Sequence, residues 1–214
     1  MPNEIVRRQN KQTVLRQAMK LFSANGVENT SGEMIARKSN LTLRSIQNYY
    51  KTKNDLIAAV LENGYAAELR EMKLFFASER YQSKAGAEQI MAIVTTAMNK
   101  AVEHPDIIFC TAQMQHILSR ASERREQPLS GNWLYVMEHL QNAFDKGMAD
   151  GSITKAMEEK LIDVKSIMLA LRGIQEQVAF TMRDKALNEL FEPQNVVKKY
   201  ICQMELMLSG KQDV

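Results

Sequence analysis

Apolar residues recur along almost the whole chain at the three-to-four-residue spacing of helices buried on one side. Val14, Leu15, Ala18, Leu21 and Phe22 share one face of a first helix, read as about 5–25. Asn25-Gly26 ends it, Gly26 being suited to a left-handed C-cap. Thr30-Ser31-Gly32-Glu33 matches the S/T-x-x-E capping box and opens a short second helix over about 31–38. Ser39-Asn40-Leu41 is a break, with Asn40 tolerant of the left-handed conformation. Thr42 caps a third helix to about Tyr50, residues 51–55 form a polar joint, and a long helix follows over about 54–78.

The later stripes mark longer helices. Ile90, Val94, Ala97, Met98 and Ala101 line one over about 84–103, and Pro105 opens another over about 106–119. Residues 120–128 are charged and read as a loop or a frayed end. Trp133, Val136, Met137, Leu140, Phe144 and Met148 define a helix over about 129–149, closed by the turn Asp150-Gly151-Ser152. Val164, Ile167, Met168, Leu171, Ile174 and Val178 mark the next, and Val197, Tyr200, Ile201, Met204 and Met207 the last. Strand-like alternation is absent. The pattern predicts an all-α protein of about nine helices.

Composition narrows the class. The 214 residues are 45% apolar with four Pro and nine Gly, which is globular composition with enough chain for a full core. Two cysteines, Cys110 and Cys202, make no disulfide framework and are read as buried, inert thiols. No apolar run approaches the roughly 20 residues that span a bilayer. The N-terminal stretch lacks a signal-like apolar core, so a soluble, cytoplasmic protein is expected. Charge adds an asymmetry: residues 1–57 hold ten Lys/Arg against four acids, whereas the remainder holds 18 against 21. A basic head on a mildly acidic body suits a polyanionic partner at the head.

The head also carries candidate chemistry. Residues 31–50 read as helix, tight break, helix, the helix-turn-helix shape. Small Ala36 permits a close helix crossing, and Ile35, Leu41 and Ile46 would seal the corner against Leu21 and Phe22. The outer side of the third helix would then carry Leu43, Arg44, Ser45, Gln47 and Asn48. Arg can grip guanine with two hydrogen bonds, and Asn or Gln can grip adenine. Tyr49 and Lys53, with the free N–H groups at Ser31–Gly32, could hold phosphates.

The run A-x-x-L-F-x-x-x-G over 18–26, T-S-x-x-x-I-A over 30–36 and L-T-x-x-S-I-x-N-Y-Y-K-T-K-N-D-L over 41–56 resembles the DNA-binding region of the TetR family of bacterial transcriptional regulators. Farther on, Ala143, Gly147, Gly151 and Ile153, then Leu171-Arg172-Gly173-Ile174, resemble that family's approach to its dimer helices. Arg44 stands where the family commonly has Gly, Gln47 where a phosphate-contacting Tyr is common, and Tyr50 replaces Phe. Since Arg44 and Gln47 would face outward, these departures should change the sequence read.

The resemblance implies a helix-turn-helix domain over 1–53 and a helical ligand-binding and dimerisation domain over 54–214. It implies a homodimer paired through helices at about 156–183 and 194–208, reading a near-palindrome in duplex DNA. Arg44, Ser45 and Asn48, with Gln47, would read bases. Ser31, Thr42, Tyr49 and Lys53 would position phosphates, and Arg7, Arg8 and Lys11 would add an N-terminal arm. A small apolar effector would release such a repressor, from a pocket drawn from Phe75, Phe76, Met98, Phe109, Met114, Trp133, Met137 and Phe144. Fourteen Met suit an adaptable apolar site, and Gln113, Gln115, His116 and His139 could supply polar anchors. The sequence offers no metal-spaced cluster, phosphate loop or nucleophile motif, so neither cofactor nor catalysis is expected. The alternative is a helical protein-binding module that has lost sequence-specific DNA binding.

Overall fold

The computed structural model of the chain describes residues 2–120, 131–153 and 163–209. These form eleven helices and no strand. They are α1 (Pro2–Asn25), α2 (Gly32–Ser39), α3 (Leu43–Tyr49), α4 (Lys53–Ala77), α5 (Glu79–Gln82), α6 (Gly86–Glu103), α7 (Pro105–Arg120), α8 (Gly131–Asp150), α9 (Val164–Arg183), α10 (Lys185–Phe191) and α11 (Pro193–Ser209). The all-α expectation holds and the count of about nine does not. The two extra helices are α5 and α10, too short to show a periodic stripe. Each is started by a side chain: Ser78 accepts from the Tyr81 N–H and Asp184 from the Leu187 N–H. The expected loop at 120–128 falls, beyond Arg120, outside the described residues. The helix expected from about 156 starts at Val164, because Asp163 accepts the Lys165 and Ser166 N–H groups.

The chain divides into two compact units, Met1–Glu68 with Phe109–Gln127, and Leu69–Ile108 with Pro128–Val214. In the first, α2 packs against α1 and α3. Val14, Ala18 and Phe22 of α1, Ile35 and Ala36 of α2, Ile46 of α3 and Leu56, Ile57 and Val60 of α4 are all buried.

In the second unit α6 packs against α8, α9 and α11 around a core that includes Ile90, Val94, Met98, Leu140, Leu171 and Met204. Two glycines permit the crossing of α6 and α8. A Cβ on Gly86 would lie 2.0 Å from the Gly147 nitrogen and 2.4 Å from the Ala143 oxygen. The α6 N-terminus is capped from far along the chain: the Asp150 carboxylate accepts the Gly86 N–H (2.9 Å) and the Ser152 hydroxyl accepts the Ala87 N–H (3.0 Å).

Cys110 is buried, as read, but Cys202 is exposed, which corrects that expectation. Pro193, Val197, Met204 and Leu208 form the buried side of α11, and Cys202, two residues from Met204, is turned away from it. No helix among the described residues is long and apolar enough to cross a membrane.

Candidate nucleic-acid interface

The helix-turn-helix rests on local capping that the residue types dictate. Gly26 takes φ +85 after α1, the left-handed stop its type allows. The capping box matched from Thr30 does not form. Ser31 is the N-cap and accepts from the Met34 N–H at 3.3 Å. Thr30 is buried instead, its hydroxyl donating to the Gly26 carbonyl at 2.8 Å and the Leu21 carbonyl at 3.3 Å. Those bonds tie the α1–α2 loop to the end of α1. Glu33 sits in the first turn, where its own backbone N–H and the Ser31 hydroxyl hold its carboxyl below the ordinary carboxylate range.

Asn40 makes the turn, with φ 54 and ψ 40, and its N–H reaches the Ala36 and Arg37 carbonyls. Thr42 caps α3, accepting the Ser45 N–H at 3.1 Å, while the Thr42 and Ser45 hydroxyls pair at 2.9 Å. Tyr50 leaves α3 in extended conformation, φ −138. Thr52 and Asp55 then cap α4 reciprocally, each side chain accepting the other residue's N–H (3.1 and 2.9 Å).

This scaffold presents α3 by one anchored residue. Ile46 is buried, while Arg44, Gln47 and Asn48 are exposed and Ser45 is half-buried. Leu43 is not on the open side. It is half-buried, and a Cβ on Gly32 would come within 2.8 Å of its Cδ1, so the missing side chain at Gly32 makes room for it. Tyr49 is half-buried and packs edge-on to Tyr50, ring centres 6.5 Å apart. The Lys53 ammonium is exposed and donates to the Glu28 carbonyl at 3.2 Å.

The residues at the start of the chain belong to α1, which begins at Pro2, so Arg7, Arg8 and Lys11 project from a helix and form no extended arm. The Lys11 ammonium stands 5.9 Å from the centre of the Tyr49 ring. Beside it, Val6, Arg7, Asn10, Asn48 and Tyr49 line an open cleft of about 340 Å³ between α1 and α3. Sequence reading missed Asn10. The available signal was its spacing, three residues after Arg7 on the same helical face.

The expected effector residues fall in both units. Phe76 and Met98 are buried in the second unit's core, with Phe75, Trp133, Met137 and Phe144 packed against it. Phe109 and Met114 lie on α7 in the first unit, Met114 fully buried. Of the expected polar anchors, Gln113 keeps a buried carboxamide oxygen without a partner among the described residues. Gln115 donates to the Tyr65 hydroxyl, and His116 is exposed. His139 stacks on Phe76 at 3.9 Å, and its Nδ1 lies 2.9 Å from the Tyr135 carbonyl oxygen, a structural role. Among the described residues no group of three or more His, Cys, Asp or Glu is placed to hold a metal.

Residues 14–60 match the model of the bacterial regulatory proteins of the tetR family. Solved structures of such regulators are similar over nearly the whole chain. A TetR/AcrR-family transcriptional regulator from Thermobifida fusca is 20% identical with a TM-score of 0.66, covering 96% of this chain and 100% of its own. A TetR transcription regulator from Haloarcula marismortui is 16% identical with a TM-score of 0.66, covering 92% and 98%. HlyIIR, a hemolysin II transcriptional regulator, is 17% identical with a TM-score of 0.58, covering 97% and 99%. At such identities the likeness is one of fold. No curated protein matches the chain in sequence.

Proposed function

We propose, for a chain whose residues 14–60 are a tetR-family DNA-binding domain and whose fold is that of tetR-family transcriptional regulators, that it is a cytoplasmic homodimeric repressor of a palindromic operator. The observation that carries this reading is the presentation of α3. Ile46 anchors the helix, and Arg44 and Gln47 stand exposed on it. Residues 1–53 form the DNA-binding domain and residues 54–214 the helical ligand-binding and dimerisation domain. Arg44 and Gln47 read base edges in the major groove, and Ser45, hydrogen-bonded to Thr42, sits at the helix start where the duplex is closest. Ser31, Thr42 and Lys53 position the backbone, as neutral donors and a point charge do.

Dimerisation is supported by uncovered apolar surface. Leu169, Gly173 and Phe180 lie along one exposed face of α9, and Val196 and Met207 along one of α11. A Cβ on Gly173 would meet nothing within 4 Å, leaving room for a close neighbour. A dimer carries two helix-turn-helix units, as a near-palindrome with half-sites about one helical turn apart requires.

An effector that binds the DNA-incompetent state better than the competent one would release the repressor. The Met-rich composition and the unpartnered Gln113 oxygen favour an apolar molecule with a hydrogen-bond donor. Selection of bound duplexes from a random pool, at two salt concentrations, tests the regulator. An enriched near-palindrome whose affinity falls steeply with salt supports it. Weak binding of every sequence alike would favour the protein-binding module.

A further inference from the structure

The cleft between the first turns of α1 and the last turn of α3 holds polar groups that local structure leaves unused. Arg7, Asn10 and Asn48 line it, and none has a hydrogen bond or ion pair to another described residue. With the Tyr49 phenol they make one guanidinium, two carboxamides and one hydroxyl, every one able to donate. No carboxylate lines the cleft, and Val6 forms an apolar wall. The Lys11 ammonium, 5.9 Å from the centre of the Tyr49 ring, adds positive charge beside it. Donor-bearing residues lining the cleft from two helices, with a cation and no acid, suit an anion.

Place on the helix says which anion. A recognition helix contacts bases with its N-terminal residues and leaves the groove toward its C-terminal end. Arg44 is the second residue of α3, whereas Asn48 and Tyr49 are its last two. At that end the nearest part of the duplex is the sugar–phosphate strand. We propose that this cleft seats one DNA backbone phosphate at each half-site, Arg7 supplying the charge and Asn10, Asn48 and Tyr49 the neutral donors. The proposal rests on the reading that α3 enters duplex DNA. It moves Asn48 from reading bases to holding the backbone, and it makes the start of α1 a rigid clamp. At about 340 Å³ the cleft is open enough to admit a phosphodiester with bridging water.

The test uses the full-length protein and the duplex enriched by selection, with single phosphates replaced in turn by neutral methylphosphonates. Wild type should lose affinity when one phosphate flanking each half-site is neutralised. Arg7→Ala should bind every sequence more weakly, with the salt slope reduced by about two for a dimer, one phosphate per half-site. It should no longer respond to neutralisation of that phosphate. Asn48→Ala should keep the base preferences of wild type in a repeated selection. All four residues line the open cleft, and circular dichroism is to check that each variant folds. Equal responses of Arg7→Ala and wild type at every phosphate would overturn the clamp. A changed base preference in Asn48→Ala would return that residue to base reading. If wild type enriched no sequence, the regulator reading would fail before any variant was made, and the clamp with it.

Discussion

Arg44 is the residue on which the proposed base reading turns. It is exposed, on the second position of α3, and unpaired among the described residues. Arg44→Ala should cost about 1–3 kcal/mol of operator affinity and relax preference at one base position, read by competition with single-base operator variants. Lys53→Ala should instead weaken all sequences alike. Asn40 decides the geometry that presents Arg44. Its φ of 54 is a conformation that ordinary L-residues hold only at a cost. Asn40→Ala should therefore lower stability by about 1–2 kcal/mol in urea denaturation, while Asn40→Gly should stay near wild type. Asn40 and Thr42 were legible because their side chains act on their own neighbouring backbone. Thr30 was not: its bonds run back to α1 carbonyls that only the folded loop brings within reach.

Among elements, the crossing of α6 on α8 is the most tightly specified contact. Gly86→Ala would drive a methyl into the Gly147 backbone, so the helices must separate. A loss of about 1–3 kcal/mol or more is expected in chemical denaturation. Gly147→Ala would instead meet the Ile153 side chain at 2.5 Å, so a second substitution, Ile153→Ala, should recover part of its loss. Asp150 fastens the same junction: the Ser152 hydroxyl, with the Gly86 and Ser152 N–H groups, holds its carboxyl below the usual range. Its contribution is present above the unfolded carboxyl value and is lost as pH falls through the lowered one.

Tyr81 behaves oppositely. It lies buried on α5 among Phe75 and Phe76, and burial pushes its hydroxyl up to about 12. The stability it carries is intact below the ordinary value of 10 and fades as pH rises through about 12. Wild type should lose stability across that interval, and Tyr81→Phe should lose less. Helix α5 itself was illegible, because four residues cannot display a period.

For the molecule as a whole, the exposed apolar faces of α9 and α11 are the surfaces through which the proposed dimer would form. Leu169 is 69% exposed and Phe180 47%, on one face of α9. Leu169→Asp or Phe180→Asp should yield a folded monomer in analytical ultracentrifugation, with operator affinity greatly reduced because two half-sites are no longer held together. An effector screen on the intact dimer should find operator affinity lowered about 5- to 150-fold, the range of a 1–3 kcal/mol coupling.

What the sequence determined by itself were properties carried by neighbouring residues: helical periodicity, the stops at Gly26 and Asn40, the cap at Thr42 and the basic head. These depend on interactions within about one turn of chain, so residue types at short spacing encode them. The tertiary structure alone decided contacts between residues distant along the chain. It turned Leu43 inward over Gly32, ran α1 as a helix from Pro2 beside α3, and capped α6 with Asp150 and Ser152. Packing chooses such partners from many chemically equivalent ones, and no local pattern records the choice. The cleft between Arg7 and Asn48 is of this kind, since its two walls lie about forty residues apart along the chain.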